Sequence, residues 1–238
     1  MDTVLADIVS QKEAPNREQR MLLESFVERL KVEYNEERSA DGKLDSTPWF
    51  DILHGLPGTG KSRVIFWIRE LMEKGLKWTH GVQFVCLAFQ NSMAALINGQ
   101  TIHHWSGIPT CTTAEGGQGF GDSHARSTKC QALRVLLIDE LSMVSAELFG
   151  ALEYVVKKAI RTRNTYKKRP DGSKRPFGGL NVLLCVDLWQ IPPVGGTSFC
   201  SDPREVSPGT AHDAMNMLWG DGADFHSESM VLDTADAL

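Results

Sequence analysis

Eight residues, Gly55-Leu56-Pro57-Gly58-Thr59-Gly60-Lys61-Ser62, restrict this chain more than any other stretch. They fit G-x-x-x-x-G-K-[ST], a loop whose glycines let successive backbone N–H groups turn inward around an anion. Gly55, Gly58, Thr59 and Gly60 supply the cradle, and a helix opening at about Gly60 adds the positive end of its dipole at the same point. Lys61 is placed to reach the β- and γ-phosphates of a nucleotide, and the Ser62 hydroxyl to ligate Mg²⁺. Such a loop needs a strand behind it and a helix ahead. Residues 49–54 read as a short strand, and residues 63–72 as a mostly apolar helix.

The rest of the pattern agrees with that unit. Residues 81–89, 133–138 and 180–186 are continuous apolar runs, too unbroken for strands with one wet face. Residues 16–38, 92–98 and 146–160 read as helices. In the first, Asn16 is a good N-cap after Pro15, and Met21, Leu22, Phe26 and Leu30 form a stripe. Strands alternating with helices predict an α/β fold, a parallel sheet with helices on both faces. Residues 107–130 carry little pattern and read as a long loop. The expected organisation is an N-terminal segment over 1–40, a nucleotide-binding domain over 41–195, and an irregular tail over 196–238 with helical pieces near 213–219.

Bulk properties exclude several classes. Net charge is −5, from 25 basic and 30 acidic residues, so any polyanion must meet a local patch. The five cysteines hold no C-x-x-C pair and fit a reducing, intracellular setting better than a disulfide framework. No apolar run has the length of a membrane span, and residues 1–7 lack the basic start of a signal peptide.

Two further stretches carry chemistry. Asp139-Glu140 follows a buried strand directly. Beside a P-loop strand this is a Walker B arrangement, in which Asp139 serves the metal through its water shell and Glu140 polarises the attacking water. The plainer reading is an acidic pair at the start of the next helix. The fourth strand ends in Val186-Asp187-Leu188-Trp189-Gln190-Ile191-Pro192-Pro193-Val194, where Gln190 is a candidate γ-phosphate sensor or simply part of a strand stopped by Pro-Pro.

Together, Gly55 to Ser62, Leu137-Ile138-Asp139-Glu140-Leu141-Ser142-Met143-Val144, Pro176-Phe177-Gly178-Gly179 and Asp187-to-Val194 resemble motifs I, II and III of the PIF-one/RecD-like superfamily-one DNA helicases. The stretch Ala94 to His103 resembles their motif Ia region, and Asn16-Arg17-Glu18-Gln19 the upstream motif that reads adenine. The resemblance covers roughly residues 14–195. It implies a RecA-like P-loop NTPase fold, ATP and Mg²⁺ as cofactors, and 5′-to-3′ movement on single-stranded DNA or DNA junctions. It also implies roles in DNA repair, recombination and telomere maintenance, in the nucleus or mitochondrion. Carried over by position, Lys61 and Ser62 serve phosphate and metal, Asp139 the metal, Glu140 the water, Gln190 the γ-phosphate and Gln19 the adenine. Gln19 lies three residues after Asn16, so a capping box is an equally direct reading. Asn91, Ser92, His103 and His104 fall where the family's motif Ia region approaches DNA. The two histidines also fit a helix end near Trp105.

The chain departs from the family in having Val186 where Gly is usual, and Asn91-Ser92 where Thr-Gly is usual. These changes are expected to shift the Gln190 loop and to weaken one DNA phosphate contact. Nothing after Val194 resembles a second RecA-like domain, so the chain reads as a first motor domain, and duplex unwinding by this chain alone is not expected. Between Lys157 and Arg175 lie nine basic residues, opposed in sequence by Asp171 alone. Lys167, Lys168 and Arg169 within this stretch fit a DNA backbone track, a nuclear-import signal or a solvated loop. A nucleotide-binding relic without turnover, or another P-loop phosphotransferase, remains open at this point, as does the oligomeric state.

Overall fold

Fully buried aliphatic runs set the centre of the molecule. The computed structural model describes residues 1–38, 46–109, 130–160, 168–169, 171–187, 189–219 and 230–232. In chain order the elements are α1 (Asp2–Val9), α2 (Arg17–Arg38), β1 (Phe50–Gly55) and α3 (Lys61–Glu70), which continues into a π-helical turn, Leu71–Gly75. Then come β2 (Phe84–Ala88), α4 (Asn91–Leu96), β3 (Gln100–Thr101), α5 (Ile102–Ser106), β4 (Val135–Asp139) and α6 (Ala146–Ala159). The last are β5 (Asn181–Val186), α7 (Thr210–Trp219) and β6 (Met230–Leu232).

Every residue of β2, β4 and β5 is buried, as expected of parallel strands covered on both faces. The sheet runs β3-β2-β4-β5-β1-β6, with all pairs parallel. Successive side chains alternate between two cores. Leu53, Val135, Leu137, Leu183 and Cys185 pack under α1–α4, whereas Ile52, Leu136, Ile138, Val182 and Leu184 pack under α5–α7. Each such side chain contributes about 1.5–3 kcal/mol through burial. The Walker B expectation placed its strand beside the P-loop strand; here β5 lies between β1 and β4.

In α2 the buried stripe is Leu22, Leu23, Phe26, Val27 and Leu30, while Met21, expected in the stripe, is 45% exposed at its flank. Beneath α2 lies a buried polar cluster. Asn181 Oδ1 accepts from Trp49 N at 2.8 Å and from Arg29 Nε at 3.1 Å. Asn181 Nδ2 donates to Glu33 Oε2 at 2.8 Å. Arg29 and Arg134 approach Glu33 at 3.4 and 3.6 Å. The cluster fixes α2 to the first residue of β5.

Two regions differ from the sequence reading. Helix α1 was not foreseen: it lacks a side-chain N-cap, and such a short helix gains its stability from packing rather than propensity. Here Ile8 is buried and the helix packs on the π-turn. Residues 196–238 are not irregular throughout. Helix α7 buries Ala211, Ala214, Met215 and Leu218, packing against α6, and β6 pairs with β1. Its apolar spacing is interrupted by His212, Asp213 and Asn216, which weakened the periodic signal. The long loop expected over 107–130 falls largely on residues outside those described, as do Lys167 and Leu188. Among the described residues no helix is long and apolar enough to cross a membrane.

One titration belongs to the fold. His80 Nε2 accepts a hydrogen bond from Cys86 N at 3.1 Å, and burial, aided by the Arg69 charge, lowers the His80 pKa. A base with a depressed folded pKa gives stability that is present above its unfolded value and is lost as pH falls. The melting temperature is therefore expected to fall more steeply between pH 7 and pH 5 in the wild type than in His80→Gln, whose amide oxygen accepts the same N–H without titrating. Parallel curves would assign the acid sensitivity elsewhere.

Candidate active site

The C-terminal ends of β1, β4 and β5 converge on one group of polar side chains. β1 runs into the loop, where Gly58 and Gly60 take φ of 82° and 87°, values that L side chains rarely adopt. At Gly60 an added Cβ would also lie 2.8 Å from Gln19 Nε2. The turn therefore depends on glycine twice over. Thr59 Oγ1 closes the loop on Leu56 O at 2.8 Å, and α3 begins at Lys61. Lys61 is buried and donates to Gly55 O at 2.6 Å and Leu56 O at 3.1 Å, with Asp187 Oδ2 at 3.8 Å.

The acidic side chains face it. Asp139 is buried, and burial followed by the neighbouring Glu140 charge raises its pKa to about 6, against the pull of Lys61 and a hydrogen bond from Ser62. Glu140 takes the left-handed conformation, φ 53°, uncommon for a residue with a Cβ. That geometry turns its backbone N–H to Asp139 Oδ1 at 3.0 Å. Burial raises the Glu140 pKa as well; Lys61 opposes this, Asp187 adds to it, and a hydrogen bond with Gln190 offsets part of it. Asp187 is fully buried and organises the third strand end. It accepts Trp189 N at 3.1 Å and Gln190 Nε2 at 3.1 Å, and its carbonyl takes Gln190 N at 3.1 Å. The structure thus joins Lys61, Ser62, Asp139, Glu140 and Gln190 as the sequence led one to expect. It adds Asp187, which was quoted within its motif but given no role. The signal was available: an acid ending an apolar strand, three residues before a glutamine. Val186 packs in the core and leaves the Gln190–Asp187 contact intact.

Mg²⁺ fits this set. Asp139, Glu140 and Asp187 set three carboxylates against the single ammonium of Lys61, and Glu140 Oε2 is buried without a partner among the described residues. Among the described residues no three His, Cys, Asp or Glu side chains are placed to hold an ion by themselves. A magnesium ion held by one or two side chains and by substrate phosphates requires no such cage.

Gln19 forms the capping box: its backbone N–H meets Asn16 Oδ1 at 2.8 Å, and its Oε1 takes Asn16 N at 3.0 Å. It also donates from Nε2 to Thr59 O at 3.2 Å, which ties α2 to the P-loop. One amide hydrogen and one lone pair remain for a base.

The candidate DNA residues separate. Half-buried His103 holds Ile108 O at 3.0 Å and lies beside Phe89, ring centroids 6.2 Å apart. It lines a groove of about 480 Å³ whose other walls include Met143, Glu147, Leu148 and Val194. His104, Asn91 and Ser92 are exposed and do not line it. Lys168 and Arg169 lie elsewhere. They precede β5, at the opposite end of the sheet from the P-loop, so the described basic stretch does not join the groove. Arg169 is engaged with Ser173 and Lys174 O, Lys157 pairs with Glu153 at 2.8 Å, and Lys158 sits over Tyr154. Asp171 is thus not the only acid facing this stretch.

Known proteins resemble this chain. The family described as PIF1-like helicase matches residues 41–202. The ATP-dependent DNA helicase PIF1 of Saccharomyces cerevisiae is 33% identical over 151 residues, which are 59% of this chain and 15% of that protein. The human protein of that name is 31% identical over 153 residues, 59% of this chain and 19% of its own length. The crystal structure of Pif1 helicase from Candida albicans superposes with a TM-score of 0.52 at 24% identity, covering 84% of this chain and 38% of that one. This chain therefore spans less than a fifth of the length of these two curated relatives. With a P-loop, two acidic strand ends and a glutamine assembled on a parallel α/β sheet, and with that family matched over most of its length, the chain belongs to the PIF1-like helicases and has the RecA-like P-loop NTPase fold.

Proposed function

We propose that this chain is the nucleotide-binding motor domain of an ATP-dependent DNA helicase, in which ATP hydrolysis drives 5′-to-3′ movement on single-stranded DNA. The observation that carries the reading is the convergence of Lys61, Ser62, Asp139, Glu140 and Gln190 at adjacent strand ends. Family membership sets aside the other phosphotransferases.

In this mechanism the P-loop N–H groups and the α3 dipole hold the phosphates, while Lys61 exchanges the carbonyls of Gly55 and Leu56 for phosphate oxygens. Ser62 and Asp139 would hold Mg²⁺, which would supply charge neutralisation at the phosphates when bound. Glu140, whose raised pKa suits a general base, orients water and takes its proton. Gln190, positioned by Asp187, contacts Glu140 and senses the γ-phosphate. Gln19 reads adenine with its remaining hydrogen and lone pair. Single-stranded DNA runs along the groove lined by Phe89 and His103, with Asn91, Ser92 and His104 at its approach. The basic segment around Lys167, Lys168 and Arg169 offers a second, electrostatic contact away from that groove. The setting that goes with this reading is intracellular, in the nucleus or mitochondrion.

ATP–Mg²⁺ is expected to raise the melting temperature by several degrees, about 2.7 kcal/mol of stabilisation at a hundredfold excess over Kd. Lys61→Ala is expected to remove most of that rise by deleting the charged phosphate contact. An equal rise in both proteins would place the nucleotide elsewhere.

A further inference from the structure

The Gln190 loop is fastened at both ends and at neither point between. Its first anchor is Asp187, described above. Its second is Thr197, whose three polar groups all go to the first turn of α6. Thr197 O accepts Ala146 N at 2.9 Å. Thr197 N donates to both oxygens of Glu147, at 2.9 and 3.1 Å, and Thr197 Oγ1 donates to Glu147 Oε1 at 2.7 Å. Among the described residues no hydrogen bond holds Ile191 to Gly196. Gly196 fits under this clasp only as glycine: φ is 78°, and a Cβ would lie 2.7 Å from Glu147 Oε2 and 2.8 Å from Ser145 Cβ. Between the anchors Trp189, Ile191 and Val194 are 81%, 68% and 90% exposed.

The position of the second anchor is informative. Helix α6 starts with Ser145 as its N-cap, five residues after Glu140, and Leu148 and Ala151 on its face line the groove with Val194. One helix start therefore touches the stretch that carries the base, the far end of the loop that carries Gln190, and the groove.

We propose that Glu147 is a positioning residue that couples Gln190 to the groove: by holding Thr197 it makes the loop a strap of fixed span, so that a displacement of Gln190 at the nucleotide is delivered to Val194 rather than absorbed as slack. This rests on the nucleotide site proposed above.

The test is residue-resolved amide hydrogen exchange of the 238-residue chain, with and without the non-hydrolysable analogue AMP-PNP and Mg²⁺. The variants are Glu147→Ala, Glu147→Gln and Thr197→Val. Without nucleotide, Glu147→Ala and Thr197→Val are expected to speed exchange at the amides of positions 197 and 146, the two that the clasp engages, about tenfold, the worth of one or two hydrogen bonds. Glu147→Gln, whose amide oxygen still accepts Thr197 N–H, is expected to recover part of that protection. With AMP-PNP, the wild type gains protection from 189 through 197. In Glu147→Ala the gain stops at 189–190, although nucleotide still raises the melting temperature. A merely structural Glu147 would lower stability without dividing the nucleotide response in this way. Unchanged exchange in the nucleotide-free variants overturns the clasp. Full protection of 194–197 by nucleotide in Glu147→Ala overturns the coupling. If AMP-PNP shifts neither melting nor exchange in the wild type, the nucleotide site itself fails and the coupling fails with it, while the nucleotide-free arm still judges the clasp.

Discussion

Replacing Glu140 by glutamine is expected to lower ATP turnover by about 10²–10⁴-fold, the usual contribution of a positioned general base. Glutamine keeps the size of the side chain and can still meet Gln190, but it cannot take a proton. Nucleotide affinity is expected to hold, since Lys61, Ser62 and Asp139 are untouched. Phosphate release measured beside equilibrium nucleotide binding separates the two effects. Turnover that survives the substitution would leave Asp139-Glu140 as a helix-start pair and favour a domain that binds nucleotide without hydrolysing it. The left-handed backbone at Glu140 bears on the same point. Such conformations cost on the order of 1–3 kcal/mol and persist where the surroundings enforce them, here where the Glu140 N–H meets Asp139 Oδ1.

The second large effect concerns stability. Glu33→Ala is expected to cost about 3–5 kcal/mol, because it removes the carboxylate that Arg29 and Arg134 share in a buried polar cluster. It also removes the acceptor of Asn181 Nδ2, whose Oδ1 holds Trp49 N at the start of β1. Urea unfolding midpoints provide the measure. The double variant Arg29→Met/Glu33→Leu is expected to lie much nearer the wild type, since removing both charges avoids the desolvated remainder. If Glu33→Ala proves as mild as an exposed substitution, the cluster is too well solvated to fasten α2 to β5.

Most of the candidate site was legible because its residues follow local rules. A P-loop must have its glycines at fixed offsets, and an acid directly after an apolar run must stand at a strand end. The strands β2, β4 and β5 were legible for the same reason: parallel strands buried on both faces leave unbroken apolar runs. Glu147 was given no role because its partner Thr197 lies 50 positions away, whereas the partners of Asp187, Trp189 and Gln190, are local and its part was legible. The insertion of β5 between β1 and β4 is likewise a matter of topology that no local window carries. Gln19 shows two readings that coexist: its capping box is local and was foreseen, whereas its bond to Thr59 spans 40 positions. The basic stretch is the opposite case. Its composition was plain, but charge alone does not say which end of a sheet a segment occupies.

The pairing of β6 with β1 decides how the P-loop strand meets its surroundings. β5 covers one side of β1, and the three residues Met230–Leu232 cover the other along Leu53–Gly55. Without them β1 would be an outermost strand, presenting unpaired N–H and C=O groups beside a run of buried aliphatic residues. Such a margin is a template for strand addition by another chain. β6 covers that margin along Leu53–Gly55. Ending the chain before residue 230 is expected to expose that margin and to promote aggregation, with the residues of the P-loop site unchanged.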